Sequence, residues 1–341
     1  VFFSDNGSTS VEVALKMSLQ YWQQTGQVER ARFIHLSGGY HGETLGALST
    51  CGIDLFREKY EKVLMKNIEV TGPDCFRCPY NLRPESCGAE CFEPMEKTLA
   101  ENSKTVAGVV VEPLVQGAAG MKMYPPVYLK KLEDACASAG VHTIYDEVAV
   151  AFGRTGALFV CGEHGLSPTF LCLSKGITSG YLPLAATLTS EEIFQVFYGE
   201  SSSMKLFIHS HSYTANPLAC ACANETIAML RENNFLETLQ PKIKYLGETG
   251  NRLRELEWCG EFRQTGMIAA VELVRDKKSR EPFPQELRIG YRIYLEGLKR
   301  GVFMRPLGNV IYFIPPLIII EKEIETMVDM ANESIRAVLE K

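Results

Sequence analysis

An aspartate and a lysine each stand at the end of an apolar stretch that has the character of a β-strand. Asp146 ends one such stretch, and Lys175 directly follows another. Because open α/β sheets bind ligands at the carboxyl ends of their strands, we expect both side chains at one sheet edge. A lysine amine buried there would be neutral and nucleophilic, since burial disfavours its charged form. The aspartate alone leaves its partner open: magnesium, a ribose or a cationic nitrogen would each suit it.

A phosphate-binding pattern lies near the first residue. Asp5-Asn6-Gly7-Ser8-Thr9 precedes apolar residues at helical spacing, and we expect Thr9 and Glu12 to form a capping box there. Glycine, free N–H groups and a hydroxyl at a helix N-terminus can hold a phosphate, although the same pattern describes an ordinary helix cap. Together with a carboxylate for a ring nitrogen and an amine for an aldehyde, it meets the three requirements of pyridoxal phosphate.

Alternating strand and helix patterns must position these residues. We predict strands at residues 106–112, 141–146 and 169–174, and helices at residues 127–139 and from Asn216-Pro217 to about residue 233. Gly140 is expected to end the first of these helices. The Pro/Gly-rich residues 72–94 are typical of an insertion loop.

The predicted fold class is α/β. A large domain at residues 1–234 would hold a mainly parallel sheet with helices on both faces. A smaller α+β domain is predicted at residues 235–341, where charged helices alternate with short strands. The expected elements there include one strand at residues 262–273, another at residues 310–313 and a final helix from Glu321.

Composition excludes several classes of function. The net charge of -6 argues against a nucleic-acid groove or a polybasic membrane patch, because both need surplus lysine and arginine. The apolar residues 311–320 are too few to span a bilayer and contain two prolines. The apolar start resembles an interior strand more than a signal peptide, so we expect the chain to begin in the middle of a protein. Small-molecule substrates fit best.

Cysteine usage indicates the redox compartment. The chain has 11 cysteines, an odd number, and we expect a reducing cytoplasm. The spacing of Cys75, Cys78, Cys87 and Cys91 could fit a zinc site. Because these pairs lack the usual separation of a zinc ribbon, we predict reduced thiols on a surface loop and no metal.

Motifs along nearly the whole chain resemble class III aminotransferases of the fold type I superfamily. In family order they are Asp5-Asn6-Gly7-Ser8, Gly39-Tyr40-His41-Gly42, Val111-Glu112-Pro113 with Gln116-Gly117, Asp146-Glu147, Ser174-Lys175-Gly176 and His211-Ser212-Tyr213-Thr214-Ala215-Asn216-Pro217. The resemblance implies a pyridoxal 5'-phosphate enzyme that forms a homodimer with shared active sites. Family members carry a segment ahead of the phosphate motif, which we expect to be missing here.

The resemblance also implies roles for individual residues. The catalytic residues would be Lys175, which holds the cofactor and moves the substrate proton, Asp146, which pairs with the pyridine nitrogen, and Tyr40, which lies on the ring. The expected cofactor-binding residues are Gly7, Ser8, Tyr40, Glu112, Asp146, Lys175, His211 and Ser212, with Ser212 reaching the other subunit's site. The expected substrate-binding residues are Tyr40, Arg154, Lys175, Ser210, Arg305 and Tyr312, with Arg305 on a carboxylate. The alternatives are a core tyrosine at Tyr40, ion pairs at the arginines and a structural carboxylate at Glu112.

Four further stretches are closest to the branch of this class that acts in biotin biosynthesis. They are residues 11–17 with 20–22, 152–156, 216–221 and 305–308. That branch implies ping-pong transfer of an amino group, from S-adenosylmethionine or lysine, to 8-amino-7-oxononanoate. Two alternatives stay open: a class III aminotransferase of an ω-amino acid or diamine, and an idle protein that only binds the cofactor. An NAD-binding domain is disfavoured, because no G-x-G-x-x-G follows a strand.

Overall fold

The computed structural model describes residues 1–340 and, for Ser201 and Asn233, the backbone alone. The strands are β1 (Phe2–Ser4), β2 (Arg32–Leu36), β3 (Ile68–Val70), β4 (Val106–Val111), β5 (Val115–Gln116), β6 (Lys122–Met123), β7 (His142–Asp146), β8 (Phe170–Leu173), β9 (Ala185–Thr189), β10 (Cys259–Thr265), β11 (Ile268–Asp276), β12 (Glu281–Pro282), β13 (Pro306–Leu307) and β14 (Val310–Phe313). The α-helices are α1 (Gly7–Gln24), α2 (Leu45–Leu48), α3 (Asp54–Arg57), α4 (Glu93–Asn102), α5 (Val127–Ala139), α6 (Val160–Glu163), α7 (Glu191–Val196), α8 (Pro217–Arg231), α9 (Phe235–Gly250), α10 (Ile289–Lys299) and α11 (Glu321–Leu339). Within this described part, no helix is both long enough and apolar enough to cross a membrane.

A seven-stranded sheet organises the first part of the chain. Its order is β1-β9-β8-β7-β4-β2-β3, and β9 runs antiparallel to both of its neighbours. The other pairings are parallel, so the prediction of a mainly parallel sheet is confirmed. Because β1, β2, β4, β7 and β8 point the same way, the residues that end or follow them lie along one edge.

Helices cover both faces of this sheet, and alternate residues of each strand pack on opposite faces. Val110 and Ile144 belong to the core beneath α1, whereas Val109 and Tyr145 belong to the core beneath α4 and α5. Burial on both faces explains why the strand sequences are almost continuously apolar. Helix α5 has its predicted bounds and ends at Gly140, whose φ of 60° is left-handed.

A second sheet lies later in the chain. Its strands follow the order β10-β11-β14-β13 with antiparallel pairing, and β12 adds to β11. Helices α9, α10 and α11 pack on it around Val271 and Ile311. The predicted strand at 310–313 and the helix from Glu321 are confirmed, whereas residues 262–273 contain a hairpin that turns at Gly266. The division into domains at residue 234 stays a prediction.

Helix α1 begins earlier than its predicted cap. Asn6 is the N-cap, and its side chain accepts a hydrogen bond from Thr9 N at 3.1 Å. The predicted capping box of Thr9 and Glu12 is therefore wrong. Glu12 instead accepts hydrogen bonds from backbone N–H groups at the start of α2. As a result Gly7 and Ser8 lie in the first turn, where N–H groups have no partner within the helix.

Candidate active site

A cavity of about 680 Å³ lies at the carboxyl edge of the large sheet. Its wall combines residues that end or follow β1, β2, β4, β7 and β8 with residues on or near β11, β13 and β14. The predicted site residues that line it are Gly7, Ser8, Tyr40, Glu112, Asp146, Lys175, Arg305 and Tyr312. The structure therefore brings the strand-end residues of the large sheet together with Tyr312 of the small sheet and with Arg305, which directly precedes β13.

The first turn of α1 forms one part of this wall. Ser8 Oγ accepts a hydrogen bond from Glu43 N at 3.2 Å. A Cβ at Gly42, where φ is 123°, would lie 2.1 Å from Ser8 Oγ, and a Cβ at Gly7 would lie 2.7 Å from Val148 Cγ1. Both glycines are needed for this close approach of backbone segments. The N–H groups and the hydroxyl at this helix start can serve as ligands for a phosphate.

Asp146 is held by two donors. His41 Nδ1 lies 2.9 Å from Asp146 Oδ2, and Val148 N donates to Oδ1 at 3.1 Å. Both side chains are buried, so a proton on Nδ1 fixes the orientation of the carboxylate. His41 belongs to the Gly39-Tyr40-His41-Gly42 motif, from which no role was predicted for it. The residues around His41 in the sequence do not indicate that it contacts a carboxylate as distant in the sequence as Asp146.

A second buried carboxylate, Glu112, lies beside Asp146 in the wall. It accepts hydrogen bonds from Tyr40 N at 2.9 Å and from Gly117 N at 3.0 Å. Burial raises the pKa of Glu112 to about 7, while His41 and the two backbone amides act in the opposite direction. Glu112 thus fastens two cavity-lining loops to the end of β4. These contacts correspond to the alternative of a structural carboxylate. Gln116 does not line the cavity; its Nε2 donates to Ser37 O at 3.0 Å.

Tyr40 presents an aromatic ring to the cavity. The ring packs against Phe56 with 5.1 Å between centroids, and the hydroxyl donates to Glu43 Oε1 at 3.0 Å. Burial, with the hydrogen bond to Glu43, raises the pKa of Tyr40 to about 12. The phenol therefore stays protonated at neutral pH, and its neighbours fix the plane of the ring.

Lys175 follows β8 in a left-handed backbone conformation with φ of 43°. For residues other than glycine this conformation costs of order 1 to 2 kcal/mol. Its side chain lines the cavity but is exposed, so the expectation of a buried amine is wrong for this chain taken alone. The residues of the same chain do not remove the amine from water.

Arg154 does not line the cavity. Its Nη1 donates to Pro315 O at 2.6 Å, and burial lowers the pKa of Arg154 to about 10. Its backbone carbonyl accepts from Met267 N at 2.9 Å. Arg154 therefore links the loop after β7 to two loops of the small sheet. A substrate contact had been predicted for it, and the structure of this chain shows none.

Three more predicted residues lie outside the cavity of their own chain. Ser210 and Ser212 are exposed on the segment that precedes α8. Between them, His211 Nε2 lies 3.2 Å from Phe3 O, and Nδ1 lies 3.6 Å from Asp5 Oδ2. This segment therefore runs beside β1. The expectation that Ser212 serves another subunit stays a prediction.

The four clustered cysteines line a separate small cavity in the loop between β3 and α4. Cys75, Cys78, Cys87 and Cys91 are half-buried and free. Burial, with the neighbouring thiols, raises the pKa of Cys75 to about 12. In residues 1–340, no group of three or more His, Cys, Asp or Glu side chains is arranged to hold a metal ion.

The donor set of the large cavity fits pyridoxal phosphate. The N-terminus of α1 can bind the phosphate, and Asp146 can pair with the pyridine nitrogen. The side chain of Lys175 lines the same cavity. The cavity volume lies within the range of about 300 to 1,000 Å³ that is usual for small-molecule sites. The residues present are therefore compatible with this cofactor.

Comparisons with known proteins agree with this geometry. The family description "Aminotransferase class-III" matches residues 1–335. The adenosylmethionine-8-amino-7-oxononanoate aminotransferase of Geobacter sulfurreducens is 48% identical over 339 residues, which cover 99% of this chain and 75% of that protein. The crystal structure of the enzyme so named from Methanocaldococcus jannaschii has a TM-score of 0.92 at 39% identity, covering 99% of this chain and 75% of that one. An amine transaminase from an uncultivated Pseudomonas species, in its PLP-bound form, has a TM-score of 0.92 at 32% identity, covering 99% and 76%. The chain therefore belongs to the class III aminotransferases and is a pyridoxal-phosphate-dependent transaminase.

Proposed function

We propose that this enzyme transfers an amino group to 8-amino-7-oxononanoate, giving 7,8-diaminononanoate, in biotin biosynthesis. The observation that carries the proposal is that Lys175 and Asp146 line the same cavity as Arg305 and Tyr312. The names of the relatives from Geobacter sulfurreducens and Methanocaldococcus jannaschii support this choice of substrate. The donor is S-adenosylmethionine, with lysine as the alternative, and the two half-reactions follow a ping-pong order.

At the cofactor end, each residue has a proposed task. Bound pyridoxal phosphate supplies an aldehyde that takes up the amino group and a ring that withdraws electrons from the substrate carbon. Gly7 and Ser8 would hold the phosphate, and the ring of Tyr40 would pack against the pyridine ring. Asp146 keeps the ring nitrogen protonated. Lys175 Nζ would hold the cofactor and, once released, would carry a proton to and from the substrate carbon.

At the substrate end, the small sheet supplies the proposed specificity. Arg305 pairs with the substrate carboxylate, because its planar guanidinium matches that group with two parallel hydrogen bonds. Leu307, Ile268 and Ile314 line the same wall and suit the methylene chain that separates carboxylate and carbonyl in 8-amino-7-oxononanoate. Tyr312 completes this wall.

We also propose a homodimer in which Ser212, beside His211, reaches the partner's phosphate. The exposure of Lys175 supports this, because a second subunit would close the site and remove the amine from water. Tyr181 and Leu218 are 83% and 72% exposed and would be covered in the same interface. The eleven free cysteines support a reducing cytoplasm as the compartment.

The test follows the absorbance of the enzyme-bound cofactor through both half-reactions. Purified full-length protein is mixed with S-adenosylmethionine, lysine, β-alanine or putrescine, and then with 8-amino-7-oxononanoate. We expect either of the first two donors to bleach the aldehyde absorbance and the keto acid to restore it. Bleaching by β-alanine or putrescine alone would replace the proposal with an ω-amino acid or diamine transaminase. The control is Lys175→Ala, which should show neither change.

A further inference from the structure

A buried arginine joins the small sheet to the loop between β5 and β6, two short strands that pair with each other. Arg263 lies on β10, and its side chain is 8% exposed. Its Nε donates to Met121 O at 2.7 Å, and its Nη2 donates to Gly120 O at 2.5 Å. Two adjacent carbonyls therefore share one planar guanidinium, a geometry that lysine cannot reproduce.

Acidic partners balance this charge. Arg263 Nη1 lies 2.6 Å from Glu261 Oε2 and 2.8 Å from Glu272 Oε2, and Arg77 also pairs with Glu272. Two cations thus face two anions in a partly buried cluster. The balance matters because an unpaired buried charge would be strongly destabilising.

The loop that Arg263 holds belongs to the active site. Gly117, Ala118 and Met121 line the 680 Å³ cavity. The loop is fastened at its other end by Glu112, which accepts from Gly117 N. Gly120, which belongs to the anchor formed by Arg263, has a φ of 90°. Arg263 therefore fixes the end of the loop that Glu112 does not reach.

The sheet that carries Arg263 also carries the proposed substrate residues. Arg263 pairs with Ala270 on β11, and Ala270 pairs with Tyr312 on β14. Directly paired residues of neighbouring strands project from the same face of a sheet. The face that holds the loop is therefore the face from which Tyr312 lines the cavity.

We propose that Arg263 is a positioning residue that sets the spacing between the cofactor end and the substrate end of the active site. Loss of its two hydrogen bonds would let the small sheet, with Arg305 and Tyr312, move relative to Asp146 and Lys175. The choice of 8-amino-7-oxononanoate as the acceptor in the test rests on the proposed function, whereas the contacts of Arg263 are independent of it.

The test compares Arg263→Lys, which keeps the charge but loses the paired contact, with Arg275→Met on the same small sheet. Arg275 is 65% exposed in an ion pair with Glu281 and lies outside the cavity. For Arg263→Lys we expect about a tenfold higher KM for 8-amino-7-oxononanoate, with kcat within twofold and the cofactor still bound. We also expect faster hydrogen exchange in residues 115–124. Arg275→Met should match the wild type in all four measurements.

A KM and an exchange rate equal to those of Arg275→Met would overturn the proposal, and so would a lower melting temperature with unchanged KM. If Arg263→Lys fails to fold, Glu261→Gln carries the test. It loosens Arg263 without touching the loop and should shift KM and exchange in the same direction by less. If the wild type does not aminate 8-amino-7-oxononanoate, the proposed function fails. KM is then measured with pyruvate, and the exchange comparison keeps its meaning.

Discussion

Replacing Glu112 by glutamine should change how the stability of this protein depends on pH. Burial raises the pKa of Glu112 from its ordinary value of 4.5 to about 7. The folded protein thus favours the protonated carboxyl, whereas the unfolded chain ionises near the ordinary value. The stabilisation from this preference is present in full below pH 4.5 and is lost as the pH rises to about 7.

The size of the effect follows from the difference between the two pKa values. Each unit of that difference corresponds to about 1.4 kcal/mol, so the loss between pH 4.5 and pH 8 comes to roughly 3 kcal/mol. Glutamine does not ionise and escapes this loss. Its amino group meets one of the two backbone donors, Tyr40 N or Gly117 N, which costs about 1 to 2 kcal/mol at every pH.

The assay is urea denaturation of cofactor-free protein at several pH values between 4.5 and 8. We expect the stability of Glu112→Gln relative to the wild type to rise by about 3 kcal/mol across this range. Glu163→Gln, at an exposed position, serves as the control and should follow the wild type. A constant difference between Glu112→Gln and the wild type over the whole range would refute the raised pKa.

Three further variants test other parts of the site. Gly42→Ala should weaken binding of pyridoxal phosphate by at least about tenfold, because the new Cβ would clash with Ser8 and because a φ of 123° is strained for alanine. Gly162→Ala, whose Cβ would lie in open space, is the control and should bind the cofactor like the wild type. Identical cofactor titrations of the two variants would contradict this prediction. Arg154→Met should lower the free energy of unfolding by about 2 kcal/mol, because Pro315 O loses its donor, and an unchanged urea midpoint would speak against it. Asp146→Asn should keep the cofactor bound yet remove most amino transfer in a single-turnover absorbance experiment, since a neutral amide does not hold the ring nitrogen protonated; wild-type rates would disprove that role.

Elements with a strong local pattern could be predicted from the sequence. Helix α5 and its left-handed Gly140, strand β14 and the start of α11 depend on periodicity and capping, which neighbouring residues decide. The insertion of β9 between β1 and β8 could not be predicted, because strand order depends on contacts distant in sequence. The hairpin at Gly266 was missed because its turn is short: only Gly266 and Met267 separate β10 from β11.

The same distinction applies to the site. Asp146 and Lys175 could be placed together, because parallel strands share a carboxyl edge, whereas Glu112 was assigned to the site only through the family resemblance. The contact between His41 and Asp146 could not be predicted from either residue alone. Arg263 left no signature at all, because its loop partners are backbone carbonyls, which every residue carries.

The left-handed backbone at Lys175 lowers the stability of the fold at the position where the reactive amine is needed. Glycine adopts a φ of 43° without penalty, so Lys175→Gly should stabilise the fold by roughly 1 kcal/mol while removing its reactive amine. Selection for robustness alone would therefore drive the lysine out of this position. A screen of random variants for heat resistance, without an activity filter, should therefore enrich inactive enzymes with glycine at this position.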